Sequence, residues 1–205
     1  MFEFHILTIG QISRNRFWGE LETQAYREPL CTSTLIRGEK NIIVDPSLPP
    51  EKMAKVLYDR SGLKPEAINS VFITHAHGDH FVGLELFEKA QWFMSDIELR
   101  MMETSDDSLT RKLVKKIRLV EKDFMEDMEP ISLPGHTNGT TGLIFNTTDG
   151  RTLICGDAVM TRDFFRNELG YYNSVDMQRS AESIRKIRQM ADFVVPGHDN
   201  YFIVK

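Results

Sequence analysis

Cysteine is scarce in this chain: two residues in 205, Cys31 and Cys155, far apart in the sequence. No disulfide framework can be built from them, so a reducing, cytoplasmic compartment is expected. Long apolar runs are missing too. The longest, such as Ile42-Ile43-Val44 and Phe193-Val194-Val195, have the length of strands, and no membrane span is expected. The opening MFEFHILTIG has Glu3 and His5 but no basic stretch, so it does not read as a secretory leader. Positive charge is not in excess: 25 Lys and Arg stand against 30 Asp and Glu, a net charge of −5. A general nucleic-acid binder would carry a basic footprint. The one basic run, 111–118, lies beside the acidic stretch 103–107 and reads as a solvated helix face. What remains is globular composition, with 41 % hydrophobic and 27 % charged residues, which excludes a disordered chain. The length suits one domain over residues 1–205 with a core that needs no disulfide.

Apolar periodicity predicts strands and helices in alternation. Phe2, Phe4 and Ile6 alternate as a first strand. Residues 34–37 and 41–45 flank Gly38-Glu39-Lys40 as a hairpin. Pro49-Pro50 opens a helix with Met53, Val56 and Leu57 on one face, closed near Gly62. Strands are expected at 70–74, 91–94, 130–133, 141–147, 151–155 and 192–195, and a helix at 84–89. Residues 96–117 read as mostly helical with a break at 105–107. A last helix spans about 175–190 with Ser174 as its N-cap. This pattern is that of an α/β layered fold. Residues 10–32 lack periodicity and read as a functional loop.

The six histidines are not scattered. Three fall in His75-Ala76-His77-Gly78-Asp79-His80, and the ends of further apolar runs carry His136, Asp157 and His198. Gly135, Gly156 and Gly197 stand directly before those three, where a sharp backbone turn is expected. The His-x-His-x-Asp-His run would arise by chance in roughly 3 in 10,000 chains of this composition. Strand ends that converge on one edge would gather seven nitrogen and oxygen donors. Such donors suit zinc, iron, nickel or manganese. One tetrahedral ion takes about four ligands, so seven groups suit two ions sharing a bridging carboxylate. Spacing alone leaves Asp157 and Asp79 both open as the bridge.

Thr74-His75-Ala76-His77-Gly78-Asp79-His80, followed in order by Gly-His136, Gly-Asp157 and Gly-His198, resembles the metallo-β-lactamase superfamily. The resemblance implies an αββα sandwich with two metals at one edge. It assigns His75, His77 and His136 to one ion, Asp79, His80 and His198 to the other, and Asp157 to both. Asp45 matches an acidic position that supports the site without binding metal. The chain departs from several branches. Cys155 lies inside a strand and does not match the cysteine ligand of zinc β-lactamases. Only seven residues follow His198, where glyoxalase II-like members continue into a helical region. The RNA-gripping arm of ribonuclease Z has no counterpart, and position 160, a tyrosine in lactonase-like members, is Met160. The chain looks most like the small metallohydrolases of the superfamily.

The expected chemistry is hydrolysis of a small ester, thioester, lactone or phosphoester by a hydroxide shared between two divalent ions. Zinc is favoured because it is redox-inert, with iron and manganese fitting the same donors. Asp79 is the expected catalytic acid/base. No protein nucleophile is needed, and no Gly-x-Ser-x-Gly elbow is present. A mononuclear iron enzyme like the persulfide dioxygenases, using His75, His136 and Asp157, is the alternative. The partner expected is a small-molecule substrate, neither membrane nor nucleic acid. Arg162, Phe164, Tyr171 and Tyr172 follow Asp157 closely and are candidate pocket residues.

Overall fold

In a computed structural model, residues 1–121 and 124–204 are described. Two sheets are present. The first contains β1 (Glu3–Thr8), β2 (Ser33–Arg37), β3 (Ile42–Val44), β4 (Ser70–Phe72), β5 (Gln91–Met94) and β6 (Ile117–Leu119), in that spatial order. The second contains β7 (Met128–Ser132), β8 (Thr141–Asn146), β9 (Arg151–Gly156), β10 (Phe193–Pro196) and β11 (Phe202–Ile203), in the order β11-β10-β9-β8-β7. β1, β2 and β3 pair antiparallel as a meander. β3 to β6 run parallel. Parallel neighbours need long crossovers, and α1 (Pro50–Ser61), α2 (Asp96–Glu103) and α3 (Ser108–Val114) lie in those crossovers. α4 (Arg162–Arg166) and α5 (Met177–Met190) occupy the crossover between the parallel β9 and β10.

Side-chain alternation explains the layering. Leu35, Ile43, Val71, Trp92 and Ile117 stand in register and face outward against Met53 and Leu57 of α1, Met102 of α2 and Leu113 of α3. Their neighbours Ile42, Val44 and Phe72 face inward and meet Leu143, Phe145, Ile154 and Val195 of the second sheet. The other face of that sheet, with Leu153, Cys155 and Val194, is covered by Ile184 and Ile187 of α5 and by Phe165 of α4. The result is the αββα sandwich. Each fully buried Leu, Ile or Phe in these layers contributes about 1.5–3 kcal/mol. Both cysteines are buried and free. Among the described residues no helix is long and apolar enough to cross a membrane.

Several boundaries differ from expectation. Leu84–Phe87 is a 3₁₀ turn rather than an α-helix, with Leu84 N, Leu86 N and Ala90 N each bonded three residues back, to Phe81 O, Gly83 O and Phe87 O. The helical stretch after Asp96 stops at Val114, and Ile117 instead pairs with Trp92 in β6. α5 starts at Met177, capped by Asp176, whose carboxylate accepts from Arg179 N at 2.9 Å; Ser174 is not the cap. Val175 N and Asp176 N donate to His136 O and Gly135 O. The chain is thereby held extended there, which delays the helix by two residues. β11 was not expected.

Candidate metal centre

Since β7 and β9 are both antiparallel to β8 and β10 is parallel to β9, these three strands point the same way. Their exits carry His136, Asp157 and His198. β4, in the other sheet, exits into Thr74 and His75, and Thr141 N at the start of β8 donates to Thr74 O at 3.0 Å. That bond sets the two sheet edges side by side. A 3₁₀ turn over Gly78–His80 brings Asp79 and His80 to the same place. Gly156 and Gly197 allow the close approach. At Gly156, with φ +51°, a Cβ would overlap Thr74 Oγ1. At Gly197 no left-handed turn is made; a Cβ there would overlap Asp157 Oδ1.

The seven expected residues form two groups sharing an edge. Donor atoms of His75, His77, His136 and Asp157 lie within 4.8 Å of one another, as do those of Asp79, His80 and His198. His77 Nδ1 is 3.0 Å from His75 Nε2 and 2.9 Å from His136 Nε2. Asp157 divides its carboxylate. Oδ2 stands 3.2 Å from His136 Nε2 and 3.7 Å from His75 Nε2, while Oδ1 stands 3.2 Å from His80 Nε2 and 3.3 Å from His198 Nε2. Asp79 Oδ2 is 3.6 Å from His198 Nε2. His5 stays apart, in β1 near Glu3.

This donor set fits divalent ions. Ligand atoms at about 2.0–2.1 Å from a tetrahedral ion stand roughly 3.3 Å apart, close to the spacings seen here. His80 Nε2 and Asp157 Oδ1 are buried without a hydrogen bond among the described residues, although they face each other. Such orphaned polar atoms are costly unless something else satisfies them.

Electrostatics agrees. Burial holds His75 well below the usual imidazole range and brings His136 down to about 4, so both present neutral lone pairs at neutral pH. Burial opposes charge on His80 and His198 as well, but it is outweighed, at His80 by Cys31, Asp157 and Asp45 and at His198 by Asp157 and Asp79, so both are raised. Burial likewise works against the Asp157 anion, and the imidazoles of His198, His80 and His136 overcome it, holding the carboxyl well below its ordinary value. Asp157 thus favours positive charge beside His80 and His198, which a bound cation would supply.

The atoms behind the donors are also fixed. His80 Nδ1 is 2.9 Å from Asp45 Oδ2, and Asp45 accepts further from Thr74 N and Thr74 Oγ1 at 2.8 and 2.7 Å. Asp45 sits at φ 49°, a left-handed conformation that Asp tolerates better than most residues. His198 Nδ1 donates to Leu30 O at 2.8 Å and Gln11 O at 3.0 Å, gripping both ends of the 11–30 loop. Glu98, fully buried at the start of α2, was not singled out by the sequence. An acid in a first helical turn is an ordinary helix signal, and nothing local distinguishes this one.

A cavity of about 180 Å³ opens on the donors. Its other walls are Ile12, Ser13 and Pro29 of the long loop, with Met160, Tyr171, Tyr172 and Asn173. Of the four candidate pocket residues, the two tyrosines line it. Arg162 and Phe164 do not. Arg162 lies over the Phe202 ring, with its amide bonded to Asp199. Phe164 is buried behind the wall, in edge contact with Phe17 and Tyr171. The short helix α4 accounts for both, since its first residue turns outward and its apolar face inward. Tyr171 Oη is occupied: it donates to Arg14 O at 3.0 Å and lies 3.2 Å from Ser13 Oγ.

Comparison with known proteins places the chain in a family. A protein named as a probable metallo-hydrolase of Methanocaldococcus jannaschii is 28 % identical over 137 residues, covering 67 % of this chain and 60 % of that one. The chain thus matches less than two thirds of that relative's length. An N-acyl homoserine lactonase of Bacillus cereus is 23 % identical over 190 residues, covering 88 % and 74 %. Among solved structures, the dizinc quorum-quenching lactonase AidC, in complex with a product, superposes with a TM-score of 0.69 at 19 % identity, covering 82 % of this chain and 72 % of that one; at that identity the likeness concerns the fold. The family model of the metallo-β-lactamase superfamily matches residues 26–198. The chain belongs to the metallo-β-lactamase superfamily.

Proposed function

We propose that this protein is a dinuclear metal-dependent hydrolase of small carboxylic or phosphoric esters, including thioesters and lactones. The observation that carries the reading is the division of Asp157, one oxygen toward His75 and His136, the other toward His80 and His198. In this reading His75, His77 and His136 hold one ion, Asp79, His80 and His198 the other, and Asp157 touches both. Zinc is the ion proposed, as nitrogen and oxygen donors suit it. When bound, the pair would acidify water near neutral pH and polarise the oxygen of the scissile group.

The remaining work falls to the chain. Asp79 lines the cavity with its side chain 25 % exposed, so it can exchange protons with water and with a leaving group. Ile12, Met160 and the Tyr172 ring give the substrate an apolar wall, and Ser13 and Asn173 offer hydrogen bonds at the rim. The lactonase relatives support a carbonyl ester over a phosphoester as the first substrate to try. The two buried free thiols fit a cytoplasmic location.

A panel of lactone, thioester, carboxylic ester and phosphodiester substrates, run with protein stripped by chelator and then reloaded with zinc, tests the reading. Turnover of at least one class that disappears on stripping and returns on reloading is expected. No turnover of any class by fully loaded protein contradicts it.

A further inference from the structure

Glu98 has no exposed surface, and its carboxylate serves two loops at once. Oε2 accepts from Ala76 N at 2.8 Å. Oε1 accepts from Gly139 N at 2.8 Å and from the Thr137 hydroxyl at 2.7 Å. Ala76 lies between His75 and His77, and Thr137 follows His136. One carboxylate therefore ties together the two backbone segments that carry all three imidazoles of one donor group, and touches none of the other group. The fit is close. A Cβ on Gly139 would stand 2.7 Å from both Glu98 Oε1 and Ile97 Cβ. Ser95, just before α2, donates to Gly139 O at 2.8 Å and locks the same loop to the helix start.

A buried carboxylate is expensive unless its lone pairs are filled. A neutral amide of the same shape offers one acceptor oxygen and a donor nitrogen. Gln at 98 could satisfy one loop only and would set N–H against N–H at the other. The other donor group has its own carboxylate, Asp45 on His80, in the manner of the outer carboxylates that orient metal-binding imidazoles. Asp45 also reaches the strand exit before His75 through Thr74, but only Glu98 joins the loop of His75 and His77 to that of His136.

We propose that Glu98 is a positioning residue that sets the spacing of His75, His77 and His136, so that its loss weakens the ion held by those three and spares the other. This rests on the dinuclear reading above. It is tested by zinc titration against a chromophoric chelator, with Glu98→Gln introduced into two backgrounds. In His198→Ala, where the three-histidine group is intact, Glu98→Gln should weaken zinc binding about 10–100-fold, the range for outer partners of metal ligands. In His136→Ala, where that group is already broken, the effect on the remaining ion should be less than about threefold. Glu98→Asp, which keeps a carboxylate, should recover part of the loss, and it carries the same test if the Gln variant does not fold. Metal-free melting is measured in parallel. Equal weakening in both backgrounds, or a lower melting temperature with unchanged affinities, overturns the proposal. If the wild type holds a single ion, the dinuclear reading fails, and Glu98→Gln must still weaken that ion at least tenfold for the proposal to stand.

Discussion

Asp45 Oδ2 lies 2.9 Å from His80 Nδ1, and the same carboxylate takes both the amide and the hydroxyl of Thr74. The residue that orients one imidazole therefore also fixes the strand exit that delivers His75. Asp45→Asn keeps the left-handed backbone accessible but replaces one acceptor with a donor. It should weaken zinc binding by about 10–100-fold while both ions still bind at saturation. Competition titration measures the shift, and an unchanged affinity would show that His80 is oriented by packing alone.

The metal-free protein should lose stability on acidification through His136. Its folded pKa of about 4 lies below the ordinary imidazole value of 6.5. Between those pH values the unfolded chain takes up a proton that the folded chain refuses, so folding weakens as pH falls, by on the order of 3 kcal/mol in total. His75 acts in the same direction. His80 and His198 are raised, so their contribution is present below the unfolded value and fades as pH rises through the folded ones. Denaturant melts of chelated protein at pH 6.5 and 4.5 should therefore show a smaller acid loss in His136→Gln than in the wild type. An equal loss in both would remove His136 from this account.

Gly197→Ala is predicted to disrupt both donor groups, because the added methyl overlaps Asp157 Oδ1 and turns the shared carboxylate. Zinc affinity should fall at least tenfold, with the fold retained by circular dichroism. Full-strength binding of two ions by this variant would mean that Asp157 can relocate without consequence.

The two cavity tyrosines should behave differently. Tyr171→Phe removes the hydroxyl that holds Ser13 and Arg14, at a cost of about 1–2 kcal/mol. Amide exchange in residues 11–30 should quicken. Tyr172, 40 % exposed and stacked under Arg14, should tolerate Ala with little loss of stability but a raised KM. Unchanged exchange in Tyr171→Phe, or an unchanged KM in Tyr172→Ala on every substrate turned over, would place the pocket wall elsewhere.

The donors were legible in the sequence because each sits at the end of a strand with a glycine or a tight turn beside it. That arrangement leaves a mark in one dimension, as in Leu133-Pro134-Gly135-His136. The layers were legible because short apolar runs such as Ile42-Ile43-Val44, the mark of strands covered on both faces, alternate with helical patterns. What supports the donors was not. Glu98 reaches Thr137 and Gly139 across some forty residues, and His198 Nδ1 reaches Gln11 and Leu30 across far more. Pairings of that range leave no local pattern. Arg162 and Phe164 were misplaced for a related reason: nearness in sequence to Asp157 fixes a distance and not a direction. The start of α5 was misplaced because tertiary bonds from Gly135 and His136 hold Val175 and Asp176 extended.

Asp157 is expected to join two metal positions through its one carboxylate. Elemental analysis after zinc loading and gel filtration, on wild type and Asp157→Ala, tests it directly. Two ions per chain are predicted for the wild type, with the variant losing both or keeping at most one weakly held ion. One tightly held ion in the wild type, zinc or iron, or two in Asp157→Ala, would contradict the account.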